Sequence, residues 1–178
     1  DWRVGASHYD RSRMQDLGGG RSVCLLELEA NNSSNVFLFV HGSMASMAQY
    51  FPAAAALHDE GKGFGCVAYD WYGCGRSPKP ERWEAYAWDA LYQDLEAVYN
   101  RAAAAAAAAA AKQGAKNKNK NGSGGGGGGK VIVVAHSYGT HLAMRLALEK
   151  GVDQLPGSGS SFGGLVLLGG TIATLDGG

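Results

Sequence analysis

The chain has 178 residues, a length that suits one domain with its own hydrophobic core. Sixteen basic residues balance sixteen acidic ones, so the charge favours neither a nucleic acid nor an anionic membrane as a partner. No stretch approaches the roughly 20 apolar residues that span a bilayer, and the N-terminus lacks the profile of a signal peptide, so we expect a soluble, intracellular protein.

Five short apolar runs predict β-strands, and helical patterns separate most of them. The runs cover residues 23–28, 36–40, 66–69, 131–135 and 165–168. Residues 36–40 and 131–134 are apolar almost without interruption, which is typical of strands buried on both faces, so we expect these two at the centre of a sheet. Strands that alternate with helices predict an α/β fold, a mostly parallel sheet with helices on both faces.

Three helices are predicted, over residues 48–58, from residue 88, and over residues 142–148. The second has one apolar stripe that is expected to pack on the sheet, formed by Trp88, Leu91, Tyr92, Leu95, Val98 and Tyr99. The third is expected to be largely buried, because only Arg145 and Glu149, four residues apart, form a narrow polar stripe on it.

Residues 102–129 have a low-complexity composition. An unbroken alanine run from Ala102 to Ala111 is predicted to extend the preceding helix, because alanine is the best helix former. Residues 113–129, rich in Asn, Gly and Ser, are predicted to form a flexible loop, because they cannot bury enough apolar surface. We interpret residues 102–129 as an insertion in a single partial domain that covers residues 1–178.

The strongest local pattern is Ala135-His136-Ser137-Tyr138-Gly139, between an apolar strand and a helix. A serine at such a sharp turn is held in a strained conformation that exposes its hydroxyl, and small residues two positions on either side let strand and helix approach. Gly139 and Ala135 provide those small residues. Ser137 is therefore the candidate catalytic nucleophile.

Two backbone amides are candidate donors to the oxygen that becomes charged during acyl transfer. The helix after Ser137 directs free N–H groups and a positive dipole end towards the turn, which makes the Tyr138 amide the first donor. Residues 36–40 lead directly into His41-Gly42-Ser43, and we expect the Ser43 amide to be the second donor.

A third loop, Asp70-x-x-Gly73-x-Gly75-x-Ser77, also follows a predicted strand. Its closely spaced glycines permit a tight turn with positive φ angles. Loops that follow parallel strands meet at one edge of the sheet, where ligand sites of α/β proteins lie. All three loops are thus expected at one site.

Together these motifs resemble the lipase- and esterase-like alpha/beta-hydrolase domain-containing proteins, from about residue 23 to residue 171. The resemblance rests on the His41-Gly42 turn, the 70–77 loop, the Ser137 turn and the strand and turn at 165–170. It implies the strand order 1-2-4-3-5-6-7-8, a Ser-Asp-His triad in that chain order, and hydrolysis of ester, thioester or lipid acyl bonds in a small-molecule or lipid substrate. Position 72 is Tyr where many relatives carry Arg.

In that pattern the acid and the histidine of the triad follow later strands than those visible in this chain. We therefore expect a C-terminally truncated, inactive piece of the domain that lacks the last strands, the triad acid and the triad histidine. Asp176, the carboxylate after Leu168, is interpreted as a residue of a terminal loop, and no histidine follows His141.

The visible histidines are not expected to replace the missing base. His136 should point away from the Ser137 hydroxyl, and His141 lies one helical turn beyond it, whereas a general base must reach the serine oxygen. His41 is expected to stabilise the oxyanion turn. His8 and His58 are interpreted as surface residues.

Three other classes of protein are weighed against a serine hydrolase. An epoxide hydrolase or dehalogenase on the same fold would need a carboxylate nucleophile where this chain has Ser137. A nucleotide-binding domain would place its glycines after a strand, whereas Gly124–129 precede one. A non-catalytic scaffold or binding protein with the same fold stays open, because the residues that would exclude it are not in the sequence.

No metal or organic cofactor is predicted, because no His, Cys or carboxylate cluster has the spacing of a ligand set. The three cysteines, Cys24, Cys66 and Cys74, include no CxxC pair and do not suit a secreted disulfide framework, which favours a reducing compartment. Cys24 and Cys66 are expected to be apolar core residues of strands.

Overall fold

Six strands form a single sheet in the part of the chain that the structure describes, a computed structural model of residues 8–59, 62–118, 128–151 and 160–169. The strands are β1 (Arg13–Gly18), β2 (Arg21–Leu28), β3 (Val36–Val40), β4 (Gly65–Asp70), β5 (Val131–His136) and β6 (Phe162–Leu168). Their order across the sheet is β1-β2-β4-β3-β5-β6. The pairs β1–β2 and β2–β4 are antiparallel, and the pairs among β4, β3, β5 and β6 are parallel.

The predicted strands are confirmed, since each of the five apolar runs lies in β2, β3, β4, β5 or β6. The implied order is confirmed for its first six strands, 1-2-4-3-5-6. β3 lies between β4 and β5, and Leu38 pairs with Val67 on one side and Val133 on the other. Leu38, Val67 and Val133 are all buried, which explains the continuous apolar composition of the central strands.

The first strand, β1, was not predicted. It is mostly exposed and polar, so it carries no apolar alternation. It forms a hairpin with β2 through Gly18, Gly19 and Gly20, whose φ angles are 86°, 61° and 76°. Three consecutive glycines in the left-handed region are the sequence signal that could have revealed this turn.

Helices cover both faces of the sheet, as expected. A 3₁₀ turn, Met47–Tyr50, leads into α1 (Phe51–His58), and these elements pack on one face against residues such as Leu26 and Phe39. The helices α2 (Trp88–Lys118) and α3 (Gly139–Gly151) pack on the other face against residues such as Leu25 and Leu38. Neighbouring strand residues point to opposite faces, which gives the two apolar cores.

Helix α2 is longer than predicted. The predicted loop at 113–129 is wrong for residues 113–118, which are helical; residues 119–127 lie outside the described part of the chain. Ala102 and Ala106 belong to the core beneath the helix, and a Cβ atom on Gly129 would lie 2.2 Å from the Ala106 carbonyl oxygen. The alanine run therefore packs against the domain, and the interpretation of 102–129 as an insertion stays a prediction.

Three expectations about exposure need correction. Leu148 of α3 is 69% exposed, because it lies on the outer side of the helix, away from buried Leu142 and Leu146. His8 is only 2% exposed, with its ring 5.4 Å from that of Phe51. The side chain of His58 is largely buried as well, and its Nδ1 atom lies 3.0 Å from the Phe64 carbonyl oxygen.

The predictions for Cys24 and Cys66 are confirmed, since both are buried in strands. Burial raises the pKa of the Cys66 thiol to about 12, so it behaves as a small apolar group. β6 forms the outer edge of the described sheet, and Val166, Leu167 and Leu168 remain partly exposed there.

Candidate functional site

Ser137 lies in a tight turn between β5 and α3. Its φ angle is 51°, in the left-handed region that residues other than glycine rarely adopt. The Ser137 N–H donates to the Leu168 carbonyl at 3.0 Å, and Thr140 donates to the Ser137 carbonyl from its N–H at 2.9 Å and its hydroxyl at 2.6 Å. Hydrogen bonds on both sides of the residue therefore stabilise the strained turn.

Two glycines bring the Ser137 turn into contact with the loop after β3. A Cβ atom on Gly139 would lie 2.5 Å from the His41 carbonyl oxygen, so only glycine lets α3 begin this close to the end of β3. A Cβ atom on Gly42 would lie 2.9 Å from the Cβ of Ser137. Ala135, the other small residue of the pattern, is buried. The structure thus brings His41, Gly42, Gly139 and Ser137 together.

The two predicted amide donors lie next to this contact. Ser43 follows Gly42, and Tyr138 follows Ser137 at the start of α3. Within the described ranges, no group accepts a hydrogen bond from either amide. Both residues are exposed, and the dipole of α3 adds positive potential at its N-terminus, where Tyr138 lies. Their role as donors to an oxyanion stays a prediction.

His41 is buried and joins the loop after β3 to the loop after β4. Its Nε2 atom accepts the Trp71 N–H at 3.1 Å, which places the proton on Nδ1, and Nδ1 donates to the Gly42 carbonyl at 2.6 Å. Its ring stacks on that of Trp71, with centroids 5.0 Å apart. Burial lowers the pKa of His41 below 6.5, although the Gly42 carbonyl and Asp70 oppose the shift. His41 is therefore a neutral support of the turn that carries Ser43.

Asp70 organises the loop after β4, a role that the sequence pattern did not reveal. The buried carboxylate accepts the Met47 N–H at 2.7 Å and the Arg76 N–H at 2.8 Å. The Ser77 hydroxyl donates to the Asp70 carbonyl and accepts the Cys24 N–H at 2.8 Å. Both carboxylate oxygens of Asp70 thus accept backbone N–H groups that hold the loop in place, which assigns Asp70 a structural role.

Tyr72 occupies the position where the resemblance implies Arg, and a different arginine lies next to it. The Tyr72 hydroxyl accepts the Ser22 N–H at 3.3 Å, and the Arg21 guanidinium lies 3.9 Å from the centre of the Tyr72 ring. Arg21 is fixed by two hydrogen bonds to the buried carboxylate of Asp94, at 2.7 and 2.5 Å. A cation from β2 therefore supports the loop at this position.

None of the described side chains forms a hydrogen bond with the Ser137 hydroxyl. The Nδ1 atom of His136 is buried and has no partner among the described residues, and its ring lies close to Gly42. His141 packs against Trp88 and Tyr138, with ring centroids 6.5 and 6.1 Å apart. Asp176 lies outside the described residues. Ser137 is partly exposed, and its hydroxyl has no base among the described groups.

The described ranges contain neither a metal-binding cluster nor a membrane-spanning helix. No group of three or more His, Cys, Asp or Glu side chains there could hold a metal ion. No helix within those ranges combines the length and the apolar composition needed to cross a bilayer.

The sequence profile of the alpha/beta hydrolase family matches residues 37–177. No curated protein matches the chain significantly in sequence. Among solved structures, the chain is similar to a thioesterase domain from the curacin biosynthetic pathway, with a TM-score of 0.58 and 18% identity over 88% of this chain and 44% of that one. It is also similar to haloalkane dehalogenase DpaA from Paraglaciecola agarilytica NO2, with a TM-score of 0.62 and 18% identity over 91% of this chain and 44% of that one.

An epoxide hydrolase from hot-environment metagenomes is similar as well, with a TM-score of 0.59 and 19% identity over 89% of this chain and 42% of that one. At these identities the likeness concerns the fold. The chain spans less than half the length of each of these three structures.

Proposed function

Because the chain belongs to the alpha/beta hydrolase family, we propose that the protein carrying it is a serine hydrolase that cleaves ester, thioester or lipid acyl bonds with Ser137 as nucleophile. The observation that carries this proposal is the φ angle of 51° at Ser137, between a buried strand and a helix. A serine is held in such a conformation when its hydroxyl must be exposed at the end of the sheet.

In the proposed reaction, the Ser137 oxygen attacks the substrate carbonyl carbon and its proton passes to a base. The negative charge that develops on the carbonyl oxygen is stabilised by the amides of Ser43 and Tyr138. The bond to the leaving group then breaks, the base returns the proton to that group, and water hydrolyses the acyl-enzyme. The base and its orienting acid would come from outside the described residues.

The hydrogen bonds that hold the loop of Ser43 in place favour a catalytic role for this loop over a purely structural turn. A donor stabilises an oxyanion effectively only when it is held in place before the reaction. Ser43 follows Gly42, whose carbonyl is fixed by His41, and His41 is in turn fixed by the Trp71 N–H. The neutral state of His41 keeps both of those hydrogen bonds at neutral pH.

The nucleophile also separates the proposal from the reactions that two of the structural neighbours are named for. Attack on an epoxide or on a carbon–halogen bond would need a carboxylate at position 137, and the chain has a serine hydroxyl there. Serine suits acyl transfer, because the acyl-serine ester is readily hydrolysed by water.

A non-catalytic scaffold is the second candidate. It is favoured by one observation, namely that no described side chain serves as base to the Ser137 hydroxyl. An acid and a histidine positioned on Ser137 in the full-length protein would decide for the enzyme, whereas their absence would decide for the scaffold.

Labelling with a fluorophosphonate tests the proposal directly, because this probe reacts with activated serines. We expect the full-length protein to be labelled at Ser137 and Ser137→Ala to abolish labelling, as read by peptide mass spectrometry. Ser34→Ala, at the opposite end of β3, is the matched control and should be labelled normally. Residues 1–178 alone should react far more slowly, because the serine then lacks a base. Equal labelling of wild type and Ser137→Ala would refute the assignment.

A further inference from the structure

A cleft of about 580 Å³ opens beside Ser43 in the described part of the chain. The loop after β3, the loop after β4 and residues 79–86 border it, and its volume lies within the range of about 300–1,000 Å³ that small-molecule sites occupy. Most of its lining is apolar, and the lining residues include Met44, Tyr72, Trp83 and Tyr86. Ser43 is part of the lining, so the cleft adjoins the residue that carries the proposed amide donor.

Two apolar side chains of this cleft are not covered by any described residue. Met44 is fully exposed, and its φ angle of 57° is unfavourable for a residue with a Cβ atom. Trp83 is 84% exposed, and its ring contact is with Tyr86, at 6.3 Å between centroids. Strain and exposed apolar surface at one cleft indicate a ligand that covers both side chains.

The aromatic walls of the cleft, in contrast, are held rigidly. The Tyr86 hydroxyl donates to the Pro80 carbonyl at 2.7 Å, and the Tyr86 ring lies against Gly73, where an added Cβ atom would be 2.7 Å away. Tyr72 is fixed by the Ser22 amide and covered by the Arg21 guanidinium. Because these side chains are already fixed, binding an apolar ligand would cost little of their conformational entropy.

The charged residues at the cleft argue against an anionic ligand. The Lys79 ammonium is directed back onto its own loop, where it donates to the carbonyls of Gly75 at 2.6 Å and Ser77 at 3.3 Å. Glu81 lies in the lining and is exposed, so it disfavours a free carboxylate there. The lining therefore suits a neutral apolar chain.

We propose that this cleft binds the apolar chain of a neutral ester substrate, on either the acyl or the alcohol side of the scissile bond. The inference rests on the proposed function, because the Ser43 amide places the carbonyl at the mouth of the cleft. From there the chain passes over Met44 and lies between the rings of Tyr72, Trp83 and Tyr86.

Binding is tested without catalysis in the full-length protein carrying Ser137→Ala. Ethyl butanoate, ethyl hexanoate and ethyl octanoate are titrated by calorimetry, and Trp83 emission is followed by comparison with a Trp83→Phe variant. We expect affinity to rise about fourfold for each CH₂ group that enters the cleft, together with a shift of Trp83 emission to shorter wavelength. Hexyl acetate, an isomer of ethyl hexanoate, identifies the side of the ester that binds, because the tighter isomer carries its chain on that side.

Two matched variants make the test specific to the cleft. Met44→Gln keeps the shape of the side chain and removes its apolar character, so it should weaken ethyl octanoate binding about tenfold. Met14→Gln makes the same change at a half-exposed methionine of β1 outside the cleft lining, and should bind as Ser137→Ala alone does. Affinity that is independent of chain length, or equal in the two glutamine variants, would overturn the inference. Fluorophosphonate labelling of Ser137 is unaffected by that result, so the two proposals can fail separately.

Discussion

The sheet edge around Ser137 and the alanine-rich half of α2 both depend on small residues, but for opposite reasons. At the edge, glycine is required because backbone atoms of another loop occupy the space of a side chain, as at Gly42 and Gly139. In α2, Ala102 and Ala106 face the core, whereas Ala104 and Ala107 face solvent. The sheet edge around Ser137 therefore needs glycine at particular positions, whereas α2 needs small residues only on the face that packs against the core.

The difference shows where the protein depends on exact geometry. The edge contains buried polar groups, His41 and Asp70, whose hydrogen bonds join separate loops. A small displacement there leaves polar atoms unpaired and moves the amides away from Ser137. The second half of α2 is stabilised mainly by helix propensity and shallow burial, so it should tolerate exchange on its outer face.

The largest effect is expected for a methyl group added at the edge. Gly42→Ala places a Cβ atom 2.9 Å from Ser137 Cβ and 3.3 Å from the His136 carbonyl oxygen, so the turn must move. We expect labelling of Ser137 in the full-length protein to slow about 100-fold, as when one oxyanion donor is lost. The rate of fluorophosphonate labelling measures this loss.

Gly114→Ala in α2 is the matched control for that experiment. An added Cβ atom at Gly114 meets no atom within 4 Å, so labelling should proceed as in the wild type. If both variants label at the wild-type rate, the close contact between the Gly42 turn and Ser137 has no catalytic importance.

A smaller effect is expected from the protonation of His41. The pKa of His41 is 6.5 in the unfolded chain and lower in the folded protein. At a pH between these two pKa values, His41 binds a proton in the unfolded chain but not in the folded protein. The free energy of unfolding therefore has its full value, as far as His41 is concerned, above pH 6.5. It decreases as the pH falls towards the pKa of His41 in the folded protein. His41→Gln keeps an acceptor for the Trp71 N–H but does not titrate in this range.

The melting temperature, followed by circular dichroism from pH 7.5 to about pH 5, measures this dependence. We expect it to fall more steeply with acidification in the wild type than in His41→Gln. Identical slopes for the two proteins would show that His41 does not contribute to acid sensitivity.

The smallest effect is expected in α2 itself, from the stability of Gly114→Ala. Replacing a helical glycine by alanine stabilises a protein by about 0.5–1 kcal/mol when no contact opposes the methyl group. For a protein of this size, the melting temperature should rise by about 1–4 °C. A decrease in melting temperature would show that α2 is constrained at Gly114 in the way the edge is constrained at Gly42.

Most of the fold could be predicted because its signals are local. The apolar runs of β3 and β5 and the stripe from Leu91 to Tyr99 follow the periods of strands and helices. β1 escaped prediction because its residues are polar and its pairing depends on β2. The end of α2 was placed too early because polar residues such as Asn117 carry little local signal, while the helix continues to Lys118.

The candidate site divides in the same way. Ser137, Gly139 and the His41-Gly42 turn are visible in the sequence because each follows directly on a recognisable strand. The roles of Asp70 and Arg21 are not visible, because their partners are distant in the chain. Arg21 and Asp94 are separated by 73 residues, and His41 and Trp71 by 30.

The sequence alone therefore determined the arrangement of strands and helices and the position of a serine at a strand-to-helix turn. These features can be recognised in the sequence because periodic apolar residues and small residues at fixed spacing lie within a few positions of one another. Only the tertiary structure decided which buried groups hold that turn, and that Met44 and Trp83 border one cleft. Those relations arise from contacts between strand ends that are brought together when the parallel sheet forms.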